Sequence, residues 1–134
     1  MNDVVKLMKS SVIIAAGHTS VTQLVSLIGL LDMFISNDTG PMHISAAMEI
    51  PTIGLFGPET PQVYAPFGSR NISIYKKIKC SPCIIIHKGQ NQSCKNPDCI
   101  ELISVADVWQ AAESLLKKNK KLNFRKYEFQ KINS

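Results

Sequence analysis

Short apolar runs alternate with helix-spaced apolar positions along most of this chain. Residues 3–9 read as the end of a helix, with Val4, Val5 and Met8 on one face. Val12-Ile13-Ile14-Ala15 is continuously apolar, as a strand buried on both faces should be. Gly17-His18-Thr19-Ser20 then turns the chain, and Ser20 is suited to cap a helix in which Leu24, Leu27, Ile28 and Leu31 recur at helical spacing. A second strand is predicted over 32–36 and a helix over 41–48 that ends at Ile50-Pro51. Thr52-Ile53-Gly54-Leu55-Phe56 reads as a third strand, and Gly57-Pro58-Glu59-Thr60-Pro61 as a loop. Ile72-Ser73-Ile74-Tyr75 reads as a fourth strand. After a cysteine-bearing loop over 80–99, Ser104 and Asp107 have capping-box spacing and open a helix predicted to turn Val105, Val108, Ala112 and Leu115 inward. This alternation predicts an α/β fold, a Rossmann-like parallel sheet with helices on both faces.

In such sheets ligands bind beyond the carboxyl ends of the strands. Three turns fall there: Gly17–Ser20, Ser36–His43 and Gly57–Pro61. The middle one, Ser36-Asn37-Asp38-Thr39-Gly40-Pro41-Met42-His43, carries the most chemistry. Asp38 and Thr39 are N-cap residue types, and Pro41 suits a first helical turn. Gly40 allows close approach to the backbone. The free N–H groups and positive dipole end of the following helix suit an anion, and His43 falls within reach of it. An ordinary capped strand–helix turn has the same local pattern.

The length of 134 residues fits one domain, and a composition of 45% hydrophobic and 19% charged residues can bury a core. The net charge is +5, and much of the excess lies at the end, in Lys117, Lys118, Lys120, Lys121, Arg125, Lys126 and Lys131. Residues 1–118 are read as the folded domain and 119–134 as a basic tail. The tail reads as a solvated helix or as a contact for an anionic surface such as a membrane. Phe124, Tyr127 and Phe129 could stack on bases or dock the tail on the domain. The start of the chain is not that of a signal peptide, and the apolar stretch 24–35 is too short to span a bilayer, so a cytoplasmic location is expected.

The four cysteines form C-x2-C at Cys80 and Cys83, with Cys94 and Cys99 following at x10 and x4. A structural zinc knuckle on these four, with His87 as a substitute ligand, is one reading. Free or redox-labile thiols and a structural disulfide are the others.

Asp38-Thr39-Gly40-Pro41-Met42-His43, Ala46-Ala47, Pro51-Thr52 and Leu55-Phe56-Gly57-Pro58, in that order, resemble the C-terminal domain of glycosyltransferase family 9, the ADP-heptose–lipopolysaccharide heptosyltransferases. The resemblance runs from about residue 11 to 116. It implies the second half of a two-domain GT-B enzyme, lacking the opening strand of this domain and the N-terminal domain. It also implies a donor site in which Asp38, Thr39 and Gly40 hold the diphosphate of an ADP-heptose-like nucleotide sugar, His43 supports that region and Thr19 approaches the adenine. The implied acceptor is the lipopolysaccharide inner core, and the catalytic general base belongs to the N-terminal domain. Glu59 is a rim carboxylate with the reading of a solvated loop residue. An N-terminal-domain chain, a second copy and a membrane surface are the implied partners, with no nucleic acid. No cofactor is required by such a reaction. A nucleotide-binding remnant without turnover, and a four-cysteine zinc module, are the alternatives.

Overall fold

The computed structural model describes residues 2–85, 90–91, 94 and 96–118. His87 and the basic tail 119–134 lie outside the described residues. The first two helices are α1 (Asn2–Leu7) and α2 (Val21–Ile28), followed by strand β1 (Phe34–Asn37) and helix α3 (Gly40–Ala47). Next come β2 (Thr52–Phe56), the short α4 (Pro61–Tyr64) and β3 (Asn71–Tyr75). The cysteine loop holds the two-residue strands β4 (Ile84–Ile85) and β5 (Gln90–Asn91), which pair antiparallel. Helices α5 (Asp98–Glu101) and α6 (Val105–Lys118) complete the order.

Strands β1, β2 and β3 form a parallel sheet in that order. The central strand β2 is apolar along its length because both of its faces are covered. Its odd-numbered residues face α6: Ile53 forms a core cluster with Ala111, Ala112 and Leu115, against which Met33, Leu55, Ile72 and Ile74 pack. Burying a side chain such as Ile53 completely contributes about 1.5–3 kcal/mol. Its even-numbered residues face α3. Gly54 brings the backbone so close to that helix that a Cβ would lie 2.7 Å from Met42 Sδ. The buried hydroxyls on this face satisfy each other: Thr52 donates to Ile50 O at 2.8 Å, which leaves Ser45 to donate to Thr52 Oγ1 at 2.8 Å.

Helix starts follow the sequence closely. Ser20 and Gln23 form a capping box, with Ser20 N–H donating to Gln23 Oε1 at 2.8 Å and Gln23 N–H to Ser20 Oγ at 3.3 Å. Ser104 and Asp107 form the predicted reciprocal pair, at 2.8 Å and 3.1 Å.

Two expectations are overturned. Val12–Ala15 forms no strand, and Ile13 is 97% exposed. A strand exists only through its ladder partners, and β1 ends the sheet on that side among the described residues. Val105 is exposed and does not turn inward. The first turn of α6 is tied to Lys76, one residue beyond the end of β3, where the sheet no longer offers a surface. The inward stripe is instead Ala111, Ala112 and Leu115, with Val108 half-buried. No helix among the described residues is long and apolar enough to cross a membrane.

Candidate functional site

The turn from β1 into α3 gathers most of the predicted site residues. Asn37 ends β1, Thr39 is the N-cap of α3, and Gly40 and Pro41 open the helix. Thr39 does not cap the helix with its side chain. Its hydroxyl donates to Asn37 O at 3.3 Å, so the Ser36 hydroxyl, 3.0 Å away, donates to Thr39 Oγ1. That relay fixes the turn and commits the Thr39 proton to the chain itself. Two helix-start donors are also removed: Pro41 has no N–H, and the Met42 N–H bonds to Thr39 O at 3.0 Å. The Gly40 N–H, at the opening of α3, is not among the donors so removed. A Cβ built on Gly40 would meet nothing within 4 Å, so the space beside its Cα is open.

Asp38 and His43 come together across the turn, with Asp38 Oδ1 and His43 Nε2 4.0 Å apart and the His43 side chain 48% exposed. Partial burial raises the Asp38 carboxyl above its ordinary value of 3.8, and the attraction of His43 offsets this in part. The pair sets a half-exposed imidazole near a more buried carboxylate at the start of α3. Thr19 is not part of this cluster. It is exposed, one residue before the Ser20 cap of α2, and no hydrogen bond joins it to the turn among the described residues.

The neighbouring turn after β2 is built differently. A Cβ on Gly57 would lie 2.6 Å from Ile100 Cδ1 and 2.9 Å from Cys99 Sγ. The cysteine loop is fastened here: Ser81 donates to Gly57 O, and the N–H groups of Cys83 and Ile84 donate to Pro58 O at 2.9 and 3.1 Å. Ser81 Oγ also lies 2.9 Å from Tyr75 Oη, and the Ser81-Pro82 peptide is cis. Sequence reasoning missed Ser81 and Tyr75; a serine before a proline in a loop carries no signal of burial. Glu59 is half-buried, where a solvated loop residue was expected.

None of the four cysteines is joined in a disulfide in this structure; Cys99 is buried and Cys80 and Cys94 are exposed. Burial first, and then the neighbouring Cys83, Cys94 and Cys80, push the Cys99 thiol above its ordinary value. A raised thiol is a poor nucleophile. Among the described residues no three His, Cys, Asp or Glu side chains are placed to hold a metal ion together.

Lipooligosaccharide heptosyltransferase 2 of Campylobacter jejuni subsp. jejuni serotype O:2 is 30% identical over 102 residues, which is 74% of this chain and 30% of that protein. Lipooligosaccharide heptosyltransferase 2 of Haemophilus influenzae is 34% identical over 87 residues, 65% of this chain and 25% of that protein. Among solved structures, the glycosyl transferase family 9 protein of Veillonella parvula superimposes with a TM-score of 0.71 at 30% identity, over 87% of this chain and 33% of that one. The E. coli ADP-heptose lps heptosyltransferase II shares the fold, with a TM-score of 0.61 at 23% identity over 79% of this chain and 28% of that one. The chain thus spans about a third or less of the length of these relatives. The model of glycosyltransferase family 9 (heptosyltransferase) matches residues 1–93, most of the chain including the whole β1–α3 turn, and the chain belongs to that family.

Proposed function

We propose that this chain is the nucleotide-sugar-binding part of a heptosyltransferase-type glycosyltransferase. The observation that carries the reading is the β1–α3 turn: open space beside Gly40 at a helix N-terminus, with a half-exposed His43 in the same first helical turn. The diphosphate of an ADP-heptose-like donor sits over Gly40 and accepts from its N–H. The α3 dipole offsets its charge, and the His43 ring donates a hydrogen bond to it. Thr39 and Ser36 hold the turn in shape and do not touch the ligand. Asp38 orients His43 from behind, and Thr19 flanks the adenine. The acceptor is a sugar hydroxyl of the lipopolysaccharide core.

In the transfer, the bond from the sugar's anomeric carbon to the diphosphate oxygen breaks and a bond to the acceptor oxygen forms. The acceptor proton passes to a base outside this chain. ADP departs with its charge held at the turn, where preorganised donors act most strongly. No step is routed through the cysteines. The experiment is calorimetric titration of the chain with ADP, with UDP and GDP as controls. Selective ADP binding supports the reading; equal binding of all three, or none to a folded chain, overturns it.

A further inference from the structure

The stretch from Asp98 to Leu116 holds α5, the turn after it and most of α6. It contains four acidic residues, Asp98, Glu101, Asp107 and Glu113, and no basic one. Asp107 is paired with Lys76 and Glu113 with Lys117, while Asp98 and Glu101 stand exposed. Apolar side chains lie among these charges: Leu102 is 54%, Val105 87% and Trp109 43% exposed. Val105, Trp109 and the half-buried Leu116 recur at i, i+4 and i+11, which puts them on one stripe of α6. That stripe flanks the one formed by Ala111, Ala112 and Leu115, which is already used against the sheet. Trp109 Nε1 donates to Glu113 Oε1 at 3.1 Å, so the indole lies along the stripe toward the carboxyl end of the helix.

Single exposed apolar side chains are ordinary, but an apolar stripe centred on a tryptophan and set in an acidic surface matches a basic, aromatic ligand. Residues 119–134, outside the described residues, have that chemistry. Lys120, Lys121, Arg125, Lys126 and Lys131 stand against the single Glu128, and Phe124, Tyr127 and Phe129 are interleaved with them. The reach is sufficient. Trp109 lies nine residues before Lys118, about 14 Å along the helix. The six residues from Lys118 to Phe124 can span up to about 20 Å. The size of the stripe also favours a tethered occupant. A stable separate partner covers about 800 Å² on each side, far more than three side chains offer. A segment on the same chain acts at an effective concentration on the order of millimolar and needs no such area.

We infer that residues 119–134 turn back along α6 and dock their aromatic side chains on the Val105–Trp109–Leu116 stripe, with their Lys and Arg side chains facing Asp98 and Glu101. The inference rests on the charge and shape of α6 and is independent of the nucleotide site.

Trp109 is the single tryptophan, so its fluorescence reads the stripe in the full chain. The test is acrylamide quenching of Trp109 in the full chain and in a variant carrying Phe124→Ala, Tyr127→Ala and Phe129→Ala together. Docked aromatic rings shield the indole, and their loss should raise the quenching constant at least about twofold. Val105→Lys, at an exposed position, removes the apolar neighbour and repels the basic segment; it should raise the constant similarly while far-UV circular dichroism stays unchanged. Combined with the triple substitution it should add nothing further, because both break one contact. An unchanged constant in the triple variant overturns the inference, and so do additive effects of the two changes. Shielding that weakens on dilution of the protein overturns it in favour of the same segment from a second copy. Shielding that appears only with anionic phosphatidylglycerol vesicles overturns it in favour of a membrane surface.

Discussion

The turns after β1 and β2 lie at the same end of a parallel sheet, and each carries a glycine, Gly40 or Gly57. Around Gly40 there is nothing within 4 Å of where a Cβ would stand; around Gly57, Ile100 and Cys99 are already in the way. One glycine keeps a surface free, and the other lets the cysteine loop and α5 close onto the strand end. A position at the ligand-binding rim therefore does not make a ligand site. What distinguishes the β1 turn is open space beside its glycine together with a half-exposed histidine ring in the same turn.

The largest expected effect follows from filling the closed turn. Gly57→Ala forces a methyl group into Ile100 and Cys99 and should destabilise the fold by about 1–3 kcal/mol, read by urea denaturation. Gly40→Ala should change stability by no more than about 0.5 kcal/mol while weakening ADP binding, because its methyl group occupies the ligand's space. A substantial stability loss at Gly40, or none at Gly57, would break the comparison.

His43→Ala should weaken ADP binding about tenfold, as expected for losing one charge-assisted contact, with little change in melting temperature because the side chain is half-exposed. Thr39→Ala deletes the relay between Ser36 and Asn37. It should cost about 0.5–1.5 kcal/mol of stability and weaken ADP binding only through loosening of the turn. Thr39→Ser keeps the hydroxyl and should restore both.

The smallest effect belongs to the far side of the sheet. The hydrogen bond from Lys76, and then those from Ser104, hold the Asp107 carboxyl at about 2, below its ordinary 3.8. A carboxyl lowered by folding adds stability that is present above its unfolded value. That stability is lost as the pH falls through the folded one. Asp107→Asn should therefore lower stability slightly at neutral pH and flatten the acid limb between about pH 4 and 2, in a thermal-melt series across that range. ADP binding should be unaffected.

Much of this was legible in the sequence because it is local. The run Thr52–Phe56 is apolar at both parities, as a strand covered on two faces must be, and the capping residues at Ser20 and Ser104 mark their own helix starts. The turn 36–43 was legible for the same reason. What failed depends on partners far away in the chain. Val12–Ala15 has a strand's composition, but a strand cannot form without a neighbouring ladder. Val105 has the right helical phase for burial but lies past the end of the sheet. The division of labour within the turn was also hidden: residue types alone could not show that the Thr39 hydroxyl turns back on Asn37 rather than capping α3.

The most direct test of that division is amide chemical-shift mapping of the chain during ADP titration. The account predicts that the largest shifts fall on Gly40 and its neighbours Met42 and His43, with little change at Gly57 and Thr60. Shifts concentrated at 57–60, or spread evenly without a maximum at Gly40, would contradict it.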